Sequence, residues 1–265
     1  MSFLDLHVPG RPLLMPNPWD AGTAKVLAAL GFRALATTSS GHAGTLGLAD
    51  GGVDRDAALA HAATIVAAVD VPVSADLEDG FAADPGGVAD TVRAAAATGL
   101  AGCSVEDFDP AGGLYDVGRA AERVAAAAGA ARESGIVLTA RAENHIRGNP
   151  DLADTIARLR AYQDAGADVL YAPGLTTLDE VRAVVAAVDR PVNVLARPGL
   201  PGVAALAEAG VARISVGGAF SQVALAALAR AGQDLLDGSF AFLDEAADGR
   251  AHAAAFDVRE PGPRT

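Results

Sequence analysis

The sequence lacks the features of a disulfide-stabilised, nucleic-acid-binding or aromatic-rich protein. Cys103 is the only cysteine among 265 residues, which excludes an intrachain disulfide and a cysteine-based zinc site. Aromatic residues make up only 5% of the chain, so a core must be built from Ala, Val and Leu. Lys and Arg number 20 against 33 Asp and Glu. The resulting net charge of -13 argues against nucleic-acid binding, which favours clustered positive charge.

Long hydrophobic runs are also missing. No stretch of about 20 residues is free of charges and turn residues, so no membrane span is predicted. The N-terminal segment has neither the basic region nor the apolar run of a signal peptide, and we therefore expect a cytoplasmic protein. What is present is a hydrophobic content of 51% in a chain whose length is ordinary for one α/β barrel.

Short apolar runs alternate with longer segments in which apolar residues recur at three- and four-residue spacing. Each run is bounded by Gly, Pro or Asp, as is typical of strands buried on both faces. Eight such βα units favour a closed (β/α)8 TIM barrel, with an open doubly wound sheet as the alternative. The predicted strands are Leu13–Met15, 34–37, Val73–Asp76, Gly102–Glu106, Val137–Arg141, Val169–Tyr171, Val192–Leu195 and 213–216.

The helical segments follow the strands. The fifth is expected to be capped by Asn149, with Pro150 near its first position. No change of composition marks a second domain, so residues 1–265 are predicted to form one barrel domain, with 245–265 as a C-terminal helix or tail. The predicted helices are 20–30, 54–69, 88–98, 117–133, 151–165, 178–188, 202–209 and Ala219–Leu236.

Carboxylates follow two neighbouring strands where these end. Asp76 ends the third predicted strand, with Glu78 and Asp79 just beyond it, and Glu106 ends the fourth, followed by Asp107. In an extended chain, Asp76 and Glu78 point to the same side. Carboxylates crowded at one opening repel each other unless a divalent cation lies among them, and an oxygen-only set suits Mg²⁺ or Mn²⁺. The alternative for the residues outside the strands is that they are solvated loop or capping residues.

A cation ends the fifth predicted strand. Arg141 in this position is expected to anchor a carboxylate or phosphate, and Glu143 to orient it; the alternative is a purely structural ion pair. His145 is either a group that titrates near neutrality or a solvated loop residue. Asp50 is a further acidic loop residue that suits metal binding through water.

Two segments are rich in small residues. Residues 37–42 (Thr-Thr-Ser-Ser-Gly-His) allow backbone N–H groups to approach an anion, although a plain polar turn explains them equally well. Residues 215–219 (Ser-Val-Gly-Gly-Ala) resemble a barrel phosphate site, or else the glycines permit close packing.

Five segments together resemble the phosphoenolpyruvate mutase/isocitrate lyase superfamily, in its short single-domain branch. The similarity spans about residues 13–236. The segments are 16–24 (Pro-Asn-Pro-Trp-Asp-Ala-Gly-Thr-Ala), 38–41 (Thr-Ser-Ser-Gly), 76–81 (Asp-Leu-Glu-Asp-Gly-Phe), 105–107 (Val-Glu-Asp) and 139–144 (Thr-Ala-Arg-Ala-Glu-Asn).

The resemblance implies a barrel that binds 2-oxo acids or their enolates with Mg²⁺, or with Mn²⁺ in its place. It also implies a homodimer or homotetramer in which the last barrel helix is swapped with a neighbour. Metal ligation, direct or through water, is implied for Asp50, Asp76, Glu78 and Glu106. The residues expected to act in catalysis are Asp76, Glu106 and Arg141. The expected substrate-binding residues are Trp19, Ser39, Ser40, Gly41, Arg141 and Asn193.

One loop departs from the family pattern. Lyase members carry a Lys-Arg/Lys-Cys-Gly-His loop after the fourth strand, whose cysteine is the catalytic acid, whereas residues 107–116 contain no Cys, His or Lys. We therefore predict an activity other than isocitrate or methylisocitrate lyase. The basic or Asn-containing gating loop of the mutases and phosphonopyruvate hydrolases is not evident either. Glu78 also replaces the usual second Asp of an Asp-x-Asp motif, and Tyr115 and His42 are the candidate proton donors.

The predicted function is a Mg²⁺-dependent lyase that acts on a 2-oxo carboxylate resembling oxaloacetate or a substituted malate. It would cleave or form a C–C bond through an enolate. Two alternatives remain: a phosphonopyruvate-type P–C mutase or hydrolase, and a catalytically silent barrel that binds an oxo acid. The expected partners are small-molecule oxo acids or phosphonates, without nucleic acid or membrane.

Overall fold

The computed structural model describes residues 2–257 and contains a nearly closed eight-stranded parallel barrel surrounded by helices. Neighbouring barrel strands are consecutive in the chain, which confirms the barrel and excludes a doubly wound sheet, whose strand order reverses. The Ala36 N–H donates to the Pro16 carbonyl (3.1 Å), joining the two edge strands. The barrel strands are β1 (Leu13–Met15), β2 (Leu35–Ala36), β3 (Val73–Asp76), β4 (Gly102–Glu106), β7 (Val137–Arg141), β8 (Val169–Tyr171), β9 (Val192–Leu195) and β10 (Arg213–Ser215); β5 (Phe108–Asp109) and β6 (Gly113–Leu114) form a separate antiparallel hairpin.

Helix starts follow capping side chains, and one predicted start and one predicted capping residue were wrong. Asp84 accepts from the Gly86 and Gly87 N–H groups, so the fourth helix begins at Pro85 rather than at residue 88. Asp151, not Asn149, caps the sixth helix. The helices are α1 (Ala21–Ala29), α2 (Ser39–Thr45), α3 (Arg55–Ala68), α4 (Pro85–Ala97), α5 (Val117–Ser134), α6 (Leu152–Asp164), α7 (Leu178–Ala187), α8 (Val203–Glu208), α9 (Ala219–Leu236) and α10 (Phe242–His252).

The N-terminal end of the barrel is plugged by the chain itself. The short 3-10 helix Leu4–Leu6 places Phe3 and Leu6 in a small apolar cluster with inward-facing residues of the barrel strands. A Cβ atom at Gly102 would lie 2.8 Å from the Phe3 ring and from the Val137 carbonyl, so only glycine fits there. Within residues 2–257, the barrel therefore opens at the carboxyl ends of its strands, where active sites of this fold lie.

The last helices lie at the surface. Ser221 is the only buried residue of α9, and the large apolar side chains at 223, 225, 228, 235 and 236 are all exposed. The C-terminal helix predicted to start at residue 245 begins at Phe242 and continues as the 3-10 helix Ala253–Asp257. The rest of the predicted tail, 258–265, lies outside the described residues. Within residues 2–257 we find no helix with the length and apolarity needed to traverse a bilayer.

Candidate active site

A polar cavity of about 210 Å³ occupies the carboxyl-terminal half of the barrel. Its wall includes Ser74 and Asp76 of β3, Arg141 of β7 and Tyr171 of β8. A second cavity of about 130 Å³ adjoins it and shares four lining residues with it. The shared residues are Ser39, Asp50, Arg141 and Arg147.

Arg141 lies at the centre of the carboxylate groups. Its guanidinium is 2.9 Å from carboxylate oxygens of Asp76, Glu106 and Glu143, and its Cζ is 5.2 Å from the centre of the Tyr171 ring. Burial lowers the pKa of Arg141, but the three carboxylates outweigh burial and raise it above its ordinary value. The guanidinium is therefore permanently charged, and its charge is balanced within the protein.

Asp76 is tied to the segment that follows β2. The Ser39 hydroxyl donates to Asp76 Oδ2 (3.0 Å), and the Thr37 hydroxyl accepts from the Asp76 backbone N–H (2.9 Å). These bonds join the end of β3 to the end of β2. They explain why a serine and a carboxylate from separate motifs lie side by side.

The backbone turns sharply at Glu78. Its φ of 48° lies in the left-handed region, which a non-glycine residue adopts only when its surroundings impose it. The prediction that extended alternation aligns Glu78 with Asp76 was therefore wrong, although Glu78 still lines the adjoining cavity. Burial, followed by the nearby charges of Asp76, Asp50 and Asp79, raises the pKa of Glu78 to about 7.

Glu106 is buried between two arginines. It pairs with Arg141 on the neighbouring strand (2.9 Å) and with Arg147 (3.3 Å), and burial raises its pKa. Arg147 also lies over the ring of Phe108, with its Cζ 3.8 Å from the ring centre. The loop after β7 and the β5–β6 hairpin therefore meet above this carboxylate.

The acidic side chains fit a hard divalent cation by their chemistry. Asp50, Glu78 and Glu106 line one cavity and offer oxygen donors only, as Mg²⁺ prefers. Burial first, and then the nearby carboxylates, raise the pKa of Glu78, and the charge of Arg141 opposes them only in part. Arg141 occupies oxygens of Asp76 and Glu106, and no group of three acidic or imidazole side chains in residues 2–257 is close enough together to hold an ion as it stands.

The serine segment is a helix rather than a loop. Ser39 and Ser40 line the cavity at the start of α2, and the Thr38 side chain accepts from the Gly41 N–H (3.4 Å). A Cβ atom at Gly41 would lie 2.5 Å from Thr38 Cγ2 and 3.1 Å from Trp19 Cβ. Gly41 and Trp19, both predicted to bind substrate, thus lie behind the serines and line neither cavity.

Asn193 lies in the cavity wall as predicted. Its side-chain amide donates to the Ser215 hydroxyl (3.0 Å) on the next strand. Asn17 has a structural role that the sequence did not reveal: its Oδ1 accepts from the Val216 and Gly217 N–H groups (3.0 and 2.8 Å). This asparagine connects the chain after β1 to the chain after β10.

Two other candidate residues, Asp107 and Asp79, have structural partners. Asp107 is buried and accepts from the Tyr162 hydroxyl, from Arg158 (2.8 Å) and from the Glu143 N–H (2.8 Å). Asp79 accepts from the hydroxyl of Tyr115 (2.9 Å) and pairs with Arg123 (3.2 Å).

The candidate proton donors do not reach the cavity. Burial and the bond to Asp79 raise the pKa of Tyr115 to about 12, and its hydroxyl is already engaged. His42 stacks on His61 with 3.8 Å between ring centres, and His145 is bonded to Thr155 (2.7 Å). Neither candidate proton donor lines either of the two cavities described above, and His145 does not line them either.

Two arginines at the cavity were missed. Arg147 follows β7, and Arg213 begins β10 with its side chain in the cavity wall. A charged residue at an inward-facing position of a buried strand is the pattern that would have indicated Arg213.

The fold and cavity define the class: a parallel α/β barrel with polar side chains gathered at the carboxyl ends of its strands. The chain belongs to the phosphoenolpyruvate phosphomutase family, whose model matches residues 3–236, and so to the phosphoenolpyruvate mutase/isocitrate lyase superfamily. This confirms the resemblance seen in the sequence.

Three individual relatives show how similar the chain is to known proteins. A provisionally assigned lyase/mutase from Burkholderia cenocepacia J2315 is 50% identical, with a TM-score of 0.93 over 99% of this chain and 97% of that one. An uncharacterised Mycobacterium tuberculosis H37Rv protein is 38% identical over 90% of each chain. A 2,3-dimethylmalate lyase is 29% identical, with a TM-score of 0.77 over 86% of this chain and 84% of that one.

Methylisocitrate lyases are also relatives. The 2-methylisocitrate lyase of Escherichia coli K12 is 28% identical over 71% of this chain and 70% of its own. The prediction that this activity is absent therefore stays a prediction, resting on the composition of residues 107–116.

Proposed function

We propose that the protein is a Mg²⁺-dependent enzyme that cleaves a C–C bond next to a 2-oxo carboxylate, with a substrate resembling oxaloacetate or a substituted malate. The observation that carries this proposal is the carboxylate-lined opening, where Asp50, Glu78 and Glu106 adjoin Ser39 and Arg141. Membership of a superfamily of lyases and mutases, with a dimethylmalate lyase among the relatives, supports it.

The proposed metal ligands are Asp50, Asp76, Glu78 and Glu106, directly or through water. When bound, Mg²⁺ supplies a Lewis acid that stabilises negative charge on a substrate oxygen, and Mn²⁺ suits the same oxygen donors. Arg141 forms ion pairs with three carboxylates and so holds them in place around the opening.

The serines are proposed to orient the substrate. Ser39 and Ser40 present hydroxyl groups to the cavity, and Ser40 Oγ is 3.1 Å from Thr38 Oγ1. Hydrogen-bond donors fixed before the reaction stabilise the enolate oxygen that develops when the C–C bond breaks. The small size of the cavity suits a compact acid.

The hairpin above Glu106 bears on which bond is broken. Residues 107–116 offer no cysteine, histidine or lysine as an acid, and their tyrosine is turned away to Asp79. This composition matches neither the loop of the lyase members nor the gating loop of the mutase members. The P–C alternative and a silent oxo-acid-binding barrel therefore enter the experiment as competing outcomes.

The test is a substrate screen with Mg²⁺, using oxaloacetate, 2-methyl-substituted malates, 2-methylisocitrate and phosphonopyruvate. We expect carboxylate products from oxaloacetate, or pyruvate from a substituted malate, and complete inhibition by EDTA. Phosphate release from phosphonopyruvate alone would establish the P–C alternative. Binding of these acids without turnover would establish the silent barrel, and EDTA-resistant turnover would contradict the proposal.

We further propose that α9 packs against a second copy of the chain. An 18-residue helix with one buried residue leaves an apolar surface that a monomer rarely exposes; Val223 and Leu228 are 66% and 70% exposed. The double substitution Val223→Glu/Leu228→Glu is expected to convert a dimer or tetramer to monomer in light-scattering chromatography. Leu30→Glu, at an exposed position on α1's end, is the control and should leave the mass unchanged. A monomeric wild-type protein would contradict the proposal.

A further inference from the structure

Arg213 lies deep in the barrel cavity. It is two residues before Ser215 on β10, so its side chain enters the cavity about 7 Å farther from the opening than that of Ser215. The residue is only 3% exposed and pairs in register with Asn193 on β9. Its guanidinium meets His7, with 3.2 Å between Arg213 Nη1 and His7 Nε2. Arg213 therefore forms the floor of the cavity above the N-terminal plug.

The charge of Arg213 is not balanced by the protein. Three arginines line the cavity; Arg141 contacts three carboxylates and Arg147 contacts two. Among residues 2–257, Arg213 forms no ion pair with a carboxylate, and its Nε has no hydrogen-bond partner. Burial, with a further contribution from Arg141, lowers the pKa of Arg213 to about 10, so the guanidinium is still charged at neutral pH.

A purely structural role does not explain this arrangement. A buried cation without a counter-charge destabilises the fold, and an apolar side chain of similar size would pack there at lower cost. Residues that break such a rule are expected at functional sites. Asn193, at the same level of the cavity, also has a buried Oδ1 without a partner in the described part of the chain. Arg213 Nε is a donor that an anionic ligand can satisfy, whereas Asn193 Oδ1 is an acceptor and needs a ligand hydroxyl.

We propose that Arg213 is an anion anchor: it binds a carboxylate of the ligand at the cavity floor, so that the site selects dianionic acids over monocarboxylates. This inference rests on the proposed function and deepens it, because it names the residue that binds the second carboxylate of the substrate. It adds a cation to the substrate-binding set predicted from the sequence, in which Arg141 alone had that role. A bidentate guanidinium–carboxylate pair in a site shielded from water gives both strength and orientation.

The test is calorimetric binding with Mg²⁺ present, using 3,3-difluorooxaloacetate as the dianion and pyruvate as the monoanion. The wild type is expected to bind the dianion more tightly. Arg213→Met should weaken dianion binding at least about tenfold and leave pyruvate binding nearly unchanged, because only the charged hydrogen bonds are lost. Its melting temperature should stay equal or rise, since an unpaired buried charge has been removed.

Two further variants sharpen the result. Arg213→Lys keeps the positive charge but lacks the planar pair of N–H donors of a guanidinium, and we expect an intermediate loss of dianion affinity. Arg93→Met, at an exposed position on α4, is the matched control and should bind both acids as the wild type does. Two results would overturn the inference. One is normal dianion binding by Arg213→Met, and the other is a lower melting temperature without a selective loss of dianion affinity.

Oxalate binding separates a failed role of Arg213 from a failure of the proposed function. Oxalate with Mg²⁺ probes the opening and does not need a group at the floor. If oxalate binds to the wild type and to Arg213→Met, and the two proteins show the same dianion selectivity, only the role of Arg213 is refuted. If oxalate does not bind to the wild type, the proposed function and this inference are refuted together. If Arg213→Met does not fold, a wild-type crystal soaked with 3,3-difluorooxaloacetate decides: a carboxylate bonded to Arg213 supports the inference, and any other position overturns it.

Discussion

Replacing Asp76 with asparagine is expected to abolish Mg²⁺-dependent turnover. The substitution keeps the size of the side chain and an acceptor for Ser39, but it removes the charge that faces Arg141 and, under our proposal, a metal ligand. We expect kcat/KM to fall at least about 10³-fold, because the substitution removes a metal ligand and also removes fixed electrostatic stabilisation of the transition state. Steady-state kinetics across a Mg²⁺ titration is the measurement.

The matched control is Asp90→Asn, which removes an exposed carboxylate on α4 that pairs with Arg93. It should leave turnover and the Mg²⁺ response unchanged. Wild-type rates in Asp76→Asn, with or without metal, would show that the chemistry takes place elsewhere.

The largest effect on stability is expected at Asp107. Its carboxylate is 2% exposed and is shared by Arg158, Tyr162 and the N–H of Glu143. Asp107→Ala leaves a buried guanidinium and a buried hydroxyl without this acceptor, which should lower the free energy of unfolding by about 3–5 kcal/mol. Urea denaturation followed by circular dichroism measures this change.

Asp56→Ala is the control for that experiment, because Asp56 is 81% exposed in its ion pair with Arg55. We expect a change within about 0.5 kcal/mol there. A loss below about 1 kcal/mol at Asp107 would contradict the account of this residue as the centre of a buried network.

The sequence predicted the barrel well because buried parallel strands have a simple pattern. Each strand is a short apolar run between turn residues, and six of the eight predicted ranges match the structure at both ends. The residues that end these runs, such as Asp76 and Arg141, must lie at the carboxyl edge whatever the loops do. Their proximity therefore followed from the fold alone.

The remaining errors come from interactions between distant parts of the chain. The left-handed turn at Glu78 is not encoded by a glycine, so alternation along an extended chain gave the wrong geometry. Asp107 looked like a loop residue because Arg158 and Tyr162, its partners, lie more than 50 residues away. The unpaired charge of Arg213 was not predicted, because only the structure shows that no carboxylate of residues 2–257 pairs with this strand residue.

The most direct test of the central claim is a crystal structure of the protein with Mg²⁺ and oxalate, a mimic of pyruvate enolate. We expect one divalent cation held by oxygens drawn from Asp50, Asp76, Glu78 and Glu106, with oxalate between that cation and Ser39. A cation bound away from these carboxylates, or a cavity that takes up neither cation nor oxalate at saturating concentration, would contradict it.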